Sequence, residues 1–571
     1  MGKLFRYLRD YRKECILGPL FKLLEASFEL LVPLVVAAMI DDGIASGDRG
    51  LVLRLGLLLV GLALVGLASS ITAQYFAAKA AVHFAGTLRS RLFAHIQGLS
   101  FSQQDGLGSA TLITRMTSDI NQVQTGVNMG LRLLLRSPFI VFGALFMACT
   151  IDLRAASVFA VAIAVLCAVV FGLMLWSIPR YRRVQQNLDG LLAMTRENLA
   201  GVRVLRAFGK ELEEVRAFNG QNEKLTRFSL FVGRVMALMN PVTYILINLA
   251  LVVLIHTGAV RVQLGILTQG QVVALVNYMS QILVELIKMA NLILTITKAW
   301  ACGNRIEALL EVPLEPGGRE TAPPEGPAVV FDHVGLTYRA AGGEALTDLT
   351  FTVPRGTVFG IIGGTGAGKS SVAQLIPGFY HPTAGRVLVD GLETSAWDDG
   401  ALRARVGLVP QKATLFRGTI RSNLLWGNPG ATEEDLLRAL DMAQAADVVR
   451  SKKKGLDAPV EQGGRNFSGG QRQRLTIARA LVRRPEILIL DDAASALDYA
   501  TDARLRRALR ALEDTTVIVV SQRTASIRFA DQILVLDDGK AVGLGTHETL
   551  LETCGVYREI YDSQYKKEAQ P

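Results

Sequence analysis

The chain has 571 residues, of which 50% are hydrophobic and 20% are charged, and its formal net charge is +10. At roughly 150 residues a domain, this length excludes a single core. A mean hydropathy of +0.32 excludes a wholly soluble protein, so part of the chain is expected in a membrane. The positive charge does not require nucleic acid as a partner, because basic residues such as Lys3, Arg6 and Lys13 precede an apolar run, where the positive-inside rule places them.

Six apolar runs are each long enough for the roughly 20 helical residues that cross a hydrocarbon core. They cover residues 15–40, 51–78, 130–151, 156–178, 235–260 and 270–297. Because an even number of spans returns the chain to its starting side, both termini and everything after the sixth run are expected in the cytoplasm. The sequence thus predicts a multi-pass protein of the plasma membrane, or the inner membrane in a bacterium, surrounded by membrane lipid.

The connections between these runs alternate between short and long. The long ones, 79–123 and 179–234, are amphipathic and rich in arginine, and they are expected to extend the helices well beyond the bilayer. Within each long connection, the two extended helices should be joined by a short turn, around Gly108–Arg115 in the first connection and around Gly201–Arg206 in the second. These turns are either solvated hairpins without a partner or levers that touch the cytoplasmic part of the chain.

Charged residues within or beside the predicted spans are costly to place there and therefore informative. They are Lys22, Glu25, Glu29, Asp41, Glu285 and Lys288. Two interpretations stay open for the charged residues of the first and sixth spans. They line a polar pathway for cationic or amphiphilic cargo, or they form ion pairs near the cytoplasmic ends of these spans. Asp41 either belongs to an external gate or marks the boundary with water.

The pattern changes after the sixth run. A stretch rich in proline, glycine and glutamate predicts a linker over residues 313–327, which separates a membrane domain, 1–312, from a second domain, 328–571. The second domain opens with apolar segments that alternate like strands, and these lead through Val358–Ile362 into a glycine-rich loop.

That loop fits G-x-x-x-x-G-K-[ST] and lies between a predicted strand and a predicted helix, the context that a phosphate-binding loop requires. Its glycines let backbone N–H groups point at phosphate, Lys369 adds charge for the β- and γ-phosphates, and the Ser370 hydroxyl suits Mg²⁺. The predicted nucleotide-binding residues of the loop are Gly363, Gly364, Thr365, Gly366, Ala367, Gly368, Lys369, Ser370 and Ser371.

A later apolar run, Ile487–Leu490, ends in two carboxylates, and the first of them, Asp491, is expected to hold Mg²⁺. Together with the glycine loop this predicts an α/β P-loop NTPase fold. Upstream, Ser468, Gly469 and Gly470 would present a hydroxyl and amides at a helix start, which is a second anion-binding edge. One chain has one nucleotide cradle, so the second edge implies a second chain.

Phe467-Ser-Gly-Gly-Gln471 resembles the signature motif of ATP-binding cassette (ABC) proteins, and the whole chain resembles exporter half-transporters of that family. The resemblance implies a fold of six transmembrane helices, of the type I exporter (type IV) kind, fused to one nucleotide-binding domain that uses ATP and Mg²⁺. Two such chains sandwich two ATPs, each between one chain's loop and the other chain's signature. The residues that it implicates are Tyr338 against adenine, Gln411 as a Mg²⁺ and Q-loop residue, Ser468, Gly469, Gly470 and Gln471 in the signature, and Asp498 in the D-loop.

Two positions depart from the family's pattern. The general base, normally glutamate, is Asp492, whose carboxylate is withdrawn by roughly 1 Å, a displacement that costs about 10²-fold when water must be aligned. The switch histidine is replaced by Gln522, which is neutral and cannot exchange a proton. Both are therefore interpreted as degenerate catalytic positions.

This pattern resembles the degenerate-site subunit of heterodimeric multidrug-type exporters. The expected partner is a second half-transporter with the catalytic glutamate and switch histidine, and the expected cargo is a small hydrophobic or amphiphilic molecule. Lipid or peptide export by the same fold remains an alternative, as does an ATP-gated regulatory or channel subunit, for which an inserted regulatory domain would be expected. A soluble ABC protein is excluded by the six spans.

Overall fold

The computed structural model describes residues 2–315, 317–321, 326–338, 343–512 and 514–565. The described residues fall into two compact units. The first comprises Met1–Gln97 and Ala110–Pro313, and the second comprises Gly98–Ser109 and Leu314–Pro571. Of the predicted linker, Pro316 and residues 322–325 lie outside the described residues.

The part of the chain up to residue 310 is helical almost throughout. Its α-helices are α1 Arg12–Ala38, α2 Arg49–Gly98, α3 Phe101–Leu107, α4 Ser109–Thr114, α5 Ile120–Leu133, α6 Arg136–Ile151, α7 Leu153–Ala200, α8 Val202–Ala207, α9 Glu211–Ala237, α10 Met239–Gln263 and α11 Gln269–Leu310. A 3₁₀ segment, Gly2–Tyr11, precedes α1, and π-helical segments at Met39–Ile44 and Arg115–Asp119 lie within the longer helical runs.

Among the described residues, six helical runs are long and apolar enough to cross a membrane, which confirms the six predicted spans. Helices α2 and α7 contain 50 and 48 residues, so each is about 70–75 Å long. A hydrocarbon core is about 30 Å thick. These helices therefore continue far outside it, as the arginine-rich connections predicted.

The first predicted turn, Gly108–Arg115, was placed too late in the chain. The short helix is α3, which begins where the Ser100 hydroxyl accepts from the Gln103 N–H, while the Gln103 side chain accepts in return from the Ser100 N–H at 3.0 Å. Gly108 ends α3 with φ of +75°, and helix resumes at Ser109. The second predicted turn, Gly201–Arg206, agrees with α8.

The short turns after Ile44, Ile151 and Gln263 define one end of the helix bundle, called the short-turn end below. Two contacts hold this end together. The Asp41 carboxylate accepts from the Gly270 N–H at 2.8 Å and from the Thr268 hydroxyl at 2.5 Å, which ties the end of the first span to the start of α11. Asp152 at the start of α7 pairs with Arg261 of α10.

Ion pairs form at the charged positions that the sequence singled out, two of them each within one helix and two between helices. Lys22 lies 2.5 Å from Glu25, and Lys288 lies 2.8 Å from Glu285. Arg136 of α6, a residue that sequence reasoning missed, joins Glu29 of α1 at 2.7 Å to Glu285 of α11 at 2.6 Å. The predicted ion pairs are therefore present.

The second unit contains most of the β-structure. Its strands are β1 Val329–Leu336, β2 Leu346–Val353, β3 Val358–Gly363, β4 Ala384–Val389, β5 Leu392–Glu393, β6 Val406–Val409, β7 Gly418–Thr419, β8 Pro459–Val460, β9 Ile487–Asp491, β10 Thr516–Val520, β11 Gln532–Asp537 and β12 Lys540–Gly545. Its further helices are α12 Lys369–Leu375, α13 Asp399–Arg405, α14 Ile420–Leu424, α15 Glu433–Met442, α16 Ala446–Arg450, α17 Gly469–Val482, α18 Tyr499–Arg510, α19 Thr524–Ile527, α20 His547–Thr553 and α21 Gly555–Tyr565.

The strands described in this unit form a six-stranded sheet in the order β12-β11-β3-β10-β9-β6, a four-stranded antiparallel sheet in the order β2-β1-β4-β5, and a two-stranded antiparallel sheet of β7 and β8. Strands β3, β6, β9, β10 and β11 run parallel to one another in the larger sheet, whereas β12 pairs antiparallel with β11. Every residue of β9 and β10 is buried. Near-continuous apolar strands are typical of a sheet that is covered on both faces. Nucleotide sites of such α/β folds lie at the carboxyl edge of the sheet.

Replacing Gly270 with alanine is expected to destabilise the helix bundle at the short-turn end. The added Cβ would lie 2.4 Å from the carbonyl oxygen of Ala37 and 2.6 Å from the Asp41 carboxylate, and overpacking of this kind costs about 1–3 kcal/mol. Gly233→Ala on α9 is the control, because a Cβ there meets no heavy atom of the described residues within 4 Å. Thermal unfolding in detergent should show a lower midpoint for Gly270→Ala alone; equal midpoints for both variants would contradict this packing.

Candidate nucleotide site

The parallel register brings three chain segments to one edge of the larger sheet. Val520 at the end of β10 lies beside Asp491 of β9 on one side and beside Ile361 of β3 on the other. The glycine loop follows β3, Asp492 follows β9 and Gln522 follows β10. The predicted loop, metal and switch residues therefore leave the sheet at neighbouring positions, as expected for the carboxyl ends of adjacent parallel strands.

The glycine loop is tightly built on one side and open on the other. A Cβ at Gly363 would lie 2.2 Å from the carbonyl oxygen of Leu536, and one at Gly368, whose φ is +89°, would lie 2.5 Å from Leu346. At Gly364 and Gly366, by contrast, an added Cβ meets no described heavy atom within 4 Å. The loop thus presents open backbone on the side where a polyphosphate would lie, and its residues fit that group.

Lys369 is buried, with 8% of its surface exposed, and its ammonium donates to the carbonyl oxygens of Gly363 at 2.9 Å and Gly364 at 2.6 Å. Burial lowers the pKa of Lys369, while the nearby carboxylates of Asp492 and Asp491 raise it. The bonds to the loop carbonyls hold the ammonium inside the loop, where it would meet phosphate oxygens.

Ser370 and Asp491 form the pair that the sequence assigned to Mg²⁺. The Ser370 hydroxyl donates to Oδ1 of Asp491 at 3.1 Å. Burial raises the pKa of Asp491, the bond from Ser370 lowers it, and the neighbouring Asp492 raises it further. A hydroxyl and a carboxylate at this spacing are ligands that Mg²⁺ takes beside nucleotide phosphates, so the donor set fits that ion.

Gln411 and Asp492 lie together beside this pair. The Gln411 side-chain amide donates to Oδ2 of Asp492 at 3.4 Å. Asp492 adopts a left-handed backbone conformation, with φ of +47°, and its N–H donates to the Val520 carbonyl at 2.9 Å. The backbone at the general-base position is therefore fixed to the edge of β10.

Gln522 follows β10 and is exposed, although the neighbouring Ser521 and Thr524 are buried. Its carbonyl oxygen accepts from the side-chain amide of Gln564 at 2.8 Å, and Gln564 also accepts from the N–H and hydroxyl of Thr524. The end of α21 thus holds the backbone of the switch segment. Sequence reasoning missed Gln564, because the contact joins segments that only the tertiary fold brings together.

The signature segment begins α17, with Ser468 at the N-cap and Gly469 as the first helical residue. The Ser468 hydroxyl accepts from the Gln471 N–H, and the Gln471 side chain accepts from the Ser468 N–H at 3.1 Å, so the two residues cap the helix reciprocally. Ser468 and Gly469 are exposed. A Cβ at Gly470 would lie 3.0 Å from the Ala496 carbonyl oxygen, so the signature packs against the D-loop.

Asp498 of that D-loop caps α18, because its carboxylate accepts from the Thr501 N–H at 2.8 Å. This bond lowers the pKa of Asp498. The residue is exposed.

Comparison with known proteins connects these features. A family model described as the ABC transporter transmembrane region matches residues 15–286, and one described as ABC transporter matches residues 346–495. An uncharacterized ABC transporter ATP-binding protein of Mycobacterium tuberculosis (strain ATCC 25618 / H37Rv) is 37% identical over 572 residues, which cover 99% of this chain and 98% of that protein. The chain belongs to the ABC transporter family.

Other relatives of this ABC transporter chain have more specific descriptions. An ATP-dependent lipid A-core flippase of Chromobacterium violaceum is 28% identical over 579 residues, which cover 99% of this chain and 97% of that protein. A solved structure of a bacterial Atm1-family ABC exporter with ATP bound matches with a TM-score of 0.80 at 25% identity, over 97% of this chain and 98% of the other.

The chain is therefore an ABC exporter half-transporter, a multi-pass membrane protein whose second unit is an ABC ATPase domain. That ATPase domain indicates ATP binding and ATP hydrolysis coupled to transport. The fold class predicted from the sequence is confirmed.

Tyr338, the residue assigned to adenine, starts a chain of contacts that ends on α3. Its hydroxyl donates to the Ser371 hydroxyl at 2.9 Å, and its ring meets Tyr380 edge-on at 5.1 Å. The Tyr380 hydroxyl donates in turn to the Asp105 carboxylate of α3. Burial and the Asp105 carboxylate raise the pKa of Tyr380 above its usual range, so it remains a donor at physiological pH.

A second aromatic contact fastens the same helix, since Phe101 stacks on Phe379 at 4.5 Å. The short helix between two membrane-spanning runs is thus packed against the residues that follow the glycine loop helix. Sequence reasoning missed Phe379 and Tyr380. Their signal was two adjacent aromatic residues soon after α12, but it does not identify a partner 275 residues away.

Replacing Lys369 with methionine should abolish ATP binding, because it removes the only ammonium that the described structure holds inside the glycine loop. Lys540→Met, which removes an exposed lysine of the same unit, is the control. Equilibrium titration with a fluorescent ATP analogue should show a loss of at least tenfold for Lys369→Met and no change for Lys540→Met. Retained affinity in Lys369→Met would contradict the assignment of this loop.

Tyr380→Phe is expected to weaken the coupling of ATP hydrolysis to cargo binding and to leave the affinity for ATP intact. The change removes the hydroxyl that donates to Asp105 but keeps the ring that contacts Tyr338. A hydrogen bond to a charged group contributes about 1.5–3 kcal/mol. Cargo-stimulated ATP hydrolysis should fall several-fold relative to basal hydrolysis, whereas Tyr499→Phe, at an exposed tyrosine, should leave the ratio unchanged. An equal fall in basal and stimulated rates would indicate a merely structural role.

Proposed function

We propose that this chain is the degenerate-site half of a heterodimeric ABC exporter. Its own loop, with Lys369, Ser370 and Asp491, holds Mg-ATP and hydrolyses it slowly. Its signature completes the site of a partner half-transporter, which supplies the catalytic glutamate and the switch histidine. The proposed orientation places both termini and the nucleotide-binding domain, 328–571, in the cytoplasm, after the membrane domain, 1–312, and the linker, 313–327.

The observation that carries this proposal is the geometry at Asp492. Its N–H is bonded to the Val520 carbonyl, so the backbone does not advance to compensate for the shorter side chain. A general base must reach its water to within a few tenths of an ångström, and a displacement of roughly 1 Å costs about 10²-fold. Gln522 adds to this loss, because an amide does not exchange a proton at working pH.

The intact parts of the chain support the same assignment. The glycine loop has open backbone at Gly364 and Gly366, and the signature helix is fully capped by Ser468 and Gln471. A chain that had lost its function by drift would not be expected to keep both the open glycine loop and the capped signature helix. A homodimer would contain two sites without glutamate and histidine, whereas a heterodimer has one slow site and one competent site.

In this proposal ATP closes the two nucleotide domains, and α3 and α8 act as coupling turns that transmit closure to the spans. The slow site retains ATP while the other site turns over. The ATP held at the slow site affects the transport cycle only because it binds the closed state of the nucleotide domains more tightly than the open state.

The proposed cargo is hydrophobic or amphiphilic. Lipid-like cargo is favoured over peptide by one comparison, the 28% identity to a protein described as a lipid A-core flippase.

Asp492→Glu should raise hydrolysis at this chain's own site roughly tenfold or more, and Asp492→Glu with Gln522→His should raise it further, because the carboxylate regains its reach and the switch regains a proton carrier. Steady-state ATPase is measured on the purified pair, with the partner's catalytic glutamate replaced by glutamine so that the remaining rate reports this site.

Asp491→Glu is the matched control. It makes the same chemical change one residue earlier, where it disturbs the contact with Ser370, and it should lower the rate. Two results would contradict the proposal: an unmodified chain that already hydrolyses at full rate, or a double variant that gains nothing over the unmodified chain.

A further inference from the structure

The 3₁₀ segment before α1, Gly2–Tyr11, carries a row of cations that matches its own helical period. Lys3, Arg6 and Arg9 follow one another at every third position, and all three are exposed. A 3₁₀-helix has three residues per turn, so side chains at i and i+3 lie one above the other. The three cations therefore form a single row along the segment. The positive-inside rule explains why cations precede a span, but it does not explain this spacing.

The segment is fixed to the membrane bundle through its other sides. Leu4 is buried, with 2% of its surface exposed. The backbone N–H of Lys3 donates to the Glu307 carboxylate of α11 at 3.1 Å, and the Tyr11 ring stacks on His83 of α2 at 5.4 Å. The exposed arginines therefore have a defined place on the outer surface of the bundle.

Four cations in this part of the chain form no ion pair with a described carboxylate. They are Arg6, Arg9, Arg12 and Lys13, all of them exposed. Two neighbouring cations are neutralised, because Lys3 pairs with Glu311 and Lys79 pairs with Glu14. The single carboxylate among the four, Asp10, does not balance them. The four cations, here called the basic surface, thus carry a net positive charge.

The exposed apolar residues of α1 place the basic surface at the depth of the lipid headgroups. Ile16, Leu20 and Leu24 recur every four residues and are 66%, 56% and 41% exposed, so they form an apolar face on the outside of the bundle. Arg12 lies four residues before Ile16, in line with this face and about 6 Å further along the helix axis. Headgroup layers extend roughly 5–8 Å beyond the hydrocarbon core on each side. Arg12 therefore reaches the headgroup layer where the apolar face ends.

A second row on the 3₁₀ segment is apolar. Phe5, Leu8 and Tyr11 also follow one another at every third position. Phe5 is 43% exposed, and its ring lies 6.3 Å from that of Trp300 on α11. A basic row beside an apolar, aromatic row is typical of a helix that lies in the interface between membrane and water.

Charge selects the lipid that fits the basic surface. A zwitterionic headgroup brings no net charge, whereas an anionic phospholipid brings a phosphate whose charge is not balanced within the headgroup. Each Lys or Arg close to an anionic membrane surface strengthens the attraction roughly fivefold, and the effect falls off within a Debye length of about 8–10 Å. The position of Arg12 at the headgroup layer lies within that range.

We propose that the basic surface binds the phosphate groups of anionic phospholipids and so ties the start of the first span to the headgroup layer. The lipid is a phosphate diester with net negative charge, of the phosphatidylglycerol class. This inference goes beyond the proposed function, because it concerns the membrane surface and depends neither on the cargo nor on a partner subunit.

The test measures lipid binding to the full chain, purified in detergent, by native mass spectrometry. The probes are dioleoyl phosphatidylglycerol and dioleoyl phosphatidylcholine, which have the same acyl chains and differ in headgroup charge. The unmodified protein should bind phosphatidylglycerol at least tenfold more tightly, and this ratio of affinities is the headgroup preference. It should fall several-fold when the ionic strength is raised about tenfold, because salt screens exposed charges.

The combined variant Arg6→Gln, Arg9→Gln and Arg12→Gln should abolish the headgroup preference. The same three positions changed to lysine should keep it, because the attraction depends on charge at the headgroup layer and not on the shape of the guanidinium. Lys3 is left unchanged in both variants, because it already pairs with Glu311. Unchanged thermal midpoints and ATP binding verify folding.

The matched control removes three exposed cations that lie outside the bilayer. These positions on α7 and α9 are more than about 55 Å along their helical runs from the short-turn end, whereas a bilayer with its headgroups is about 40–45 Å thick. The control combines Arg196→Gln, Arg216→Gln and Lys224→Gln. It should leave the headgroup preference unchanged, although it lowers the net charge of the protein by the same amount.

Three results would overturn the proposal. The headgroup preference could survive in the glutamine variant, or it could fall equally in the control, which would show that total charge decides it. The third result is that soluble glycerophosphoglycerol, the headgroup without acyl chains, displaces phosphatidylglycerol at equal concentration. The basic surface would then be a site for a free phosphate diester and not for a lipid.

Discussion

Strand β3 pairs in parallel with β10, and β10 pairs in parallel with β9, through buried residues on both sides. This register determines where the protein can hold a nucleotide. The glycine loop, Asp491 and the switch segment all leave the sheet at one edge, and the Asp492 N–H extends the pairing by one more bond to Val520. The contact between Ser370 and Asp491, and that between Gln411 and Asp492, both depend on this edge.

Under the proposed assignment of Asp492 as a degenerate general base, the same strand pairing explains why the missing methylene group of its side chain would slow hydrolysis. If the loop after β9 could shift, Asp492 could approach its water in place of glutamate. The bond to Val520 and the left-handed conformation hold it instead. Charged residues in the membrane unit are constrained similarly, because Arg136 is held between Glu29 and Glu285.

Much of the fold could be predicted from the sequence, because the sequence patterns that indicate it are local. Apolar runs predicted the six spans, and the glycine loop predicted the NTPase fold, since both depend on residues close together in the chain. The start of α3 also has a local signal, the capping pair of Ser100 and Gln103, whereas Gly108 marks the end of this helix and not its start. Two sets of contacts could not be predicted: those of Arg136 with Glu29 and Glu285, and that of Tyr380 with Asp105. They join residues more than one hundred positions apart in the chain, which only the tertiary packing brings together.

The fate of nucleotide at the two sites tests the central claim most directly. The purified pair is allowed to turn over azido-ATP carrying a label on the α-phosphate, is cross-linked by light, and is separated into its two chains, on which the ratio of ATP to ADP is measured. The account predicts mainly ATP on this chain and mainly ADP on its partner. Equal proportions of ADP on the two chains would contradict it.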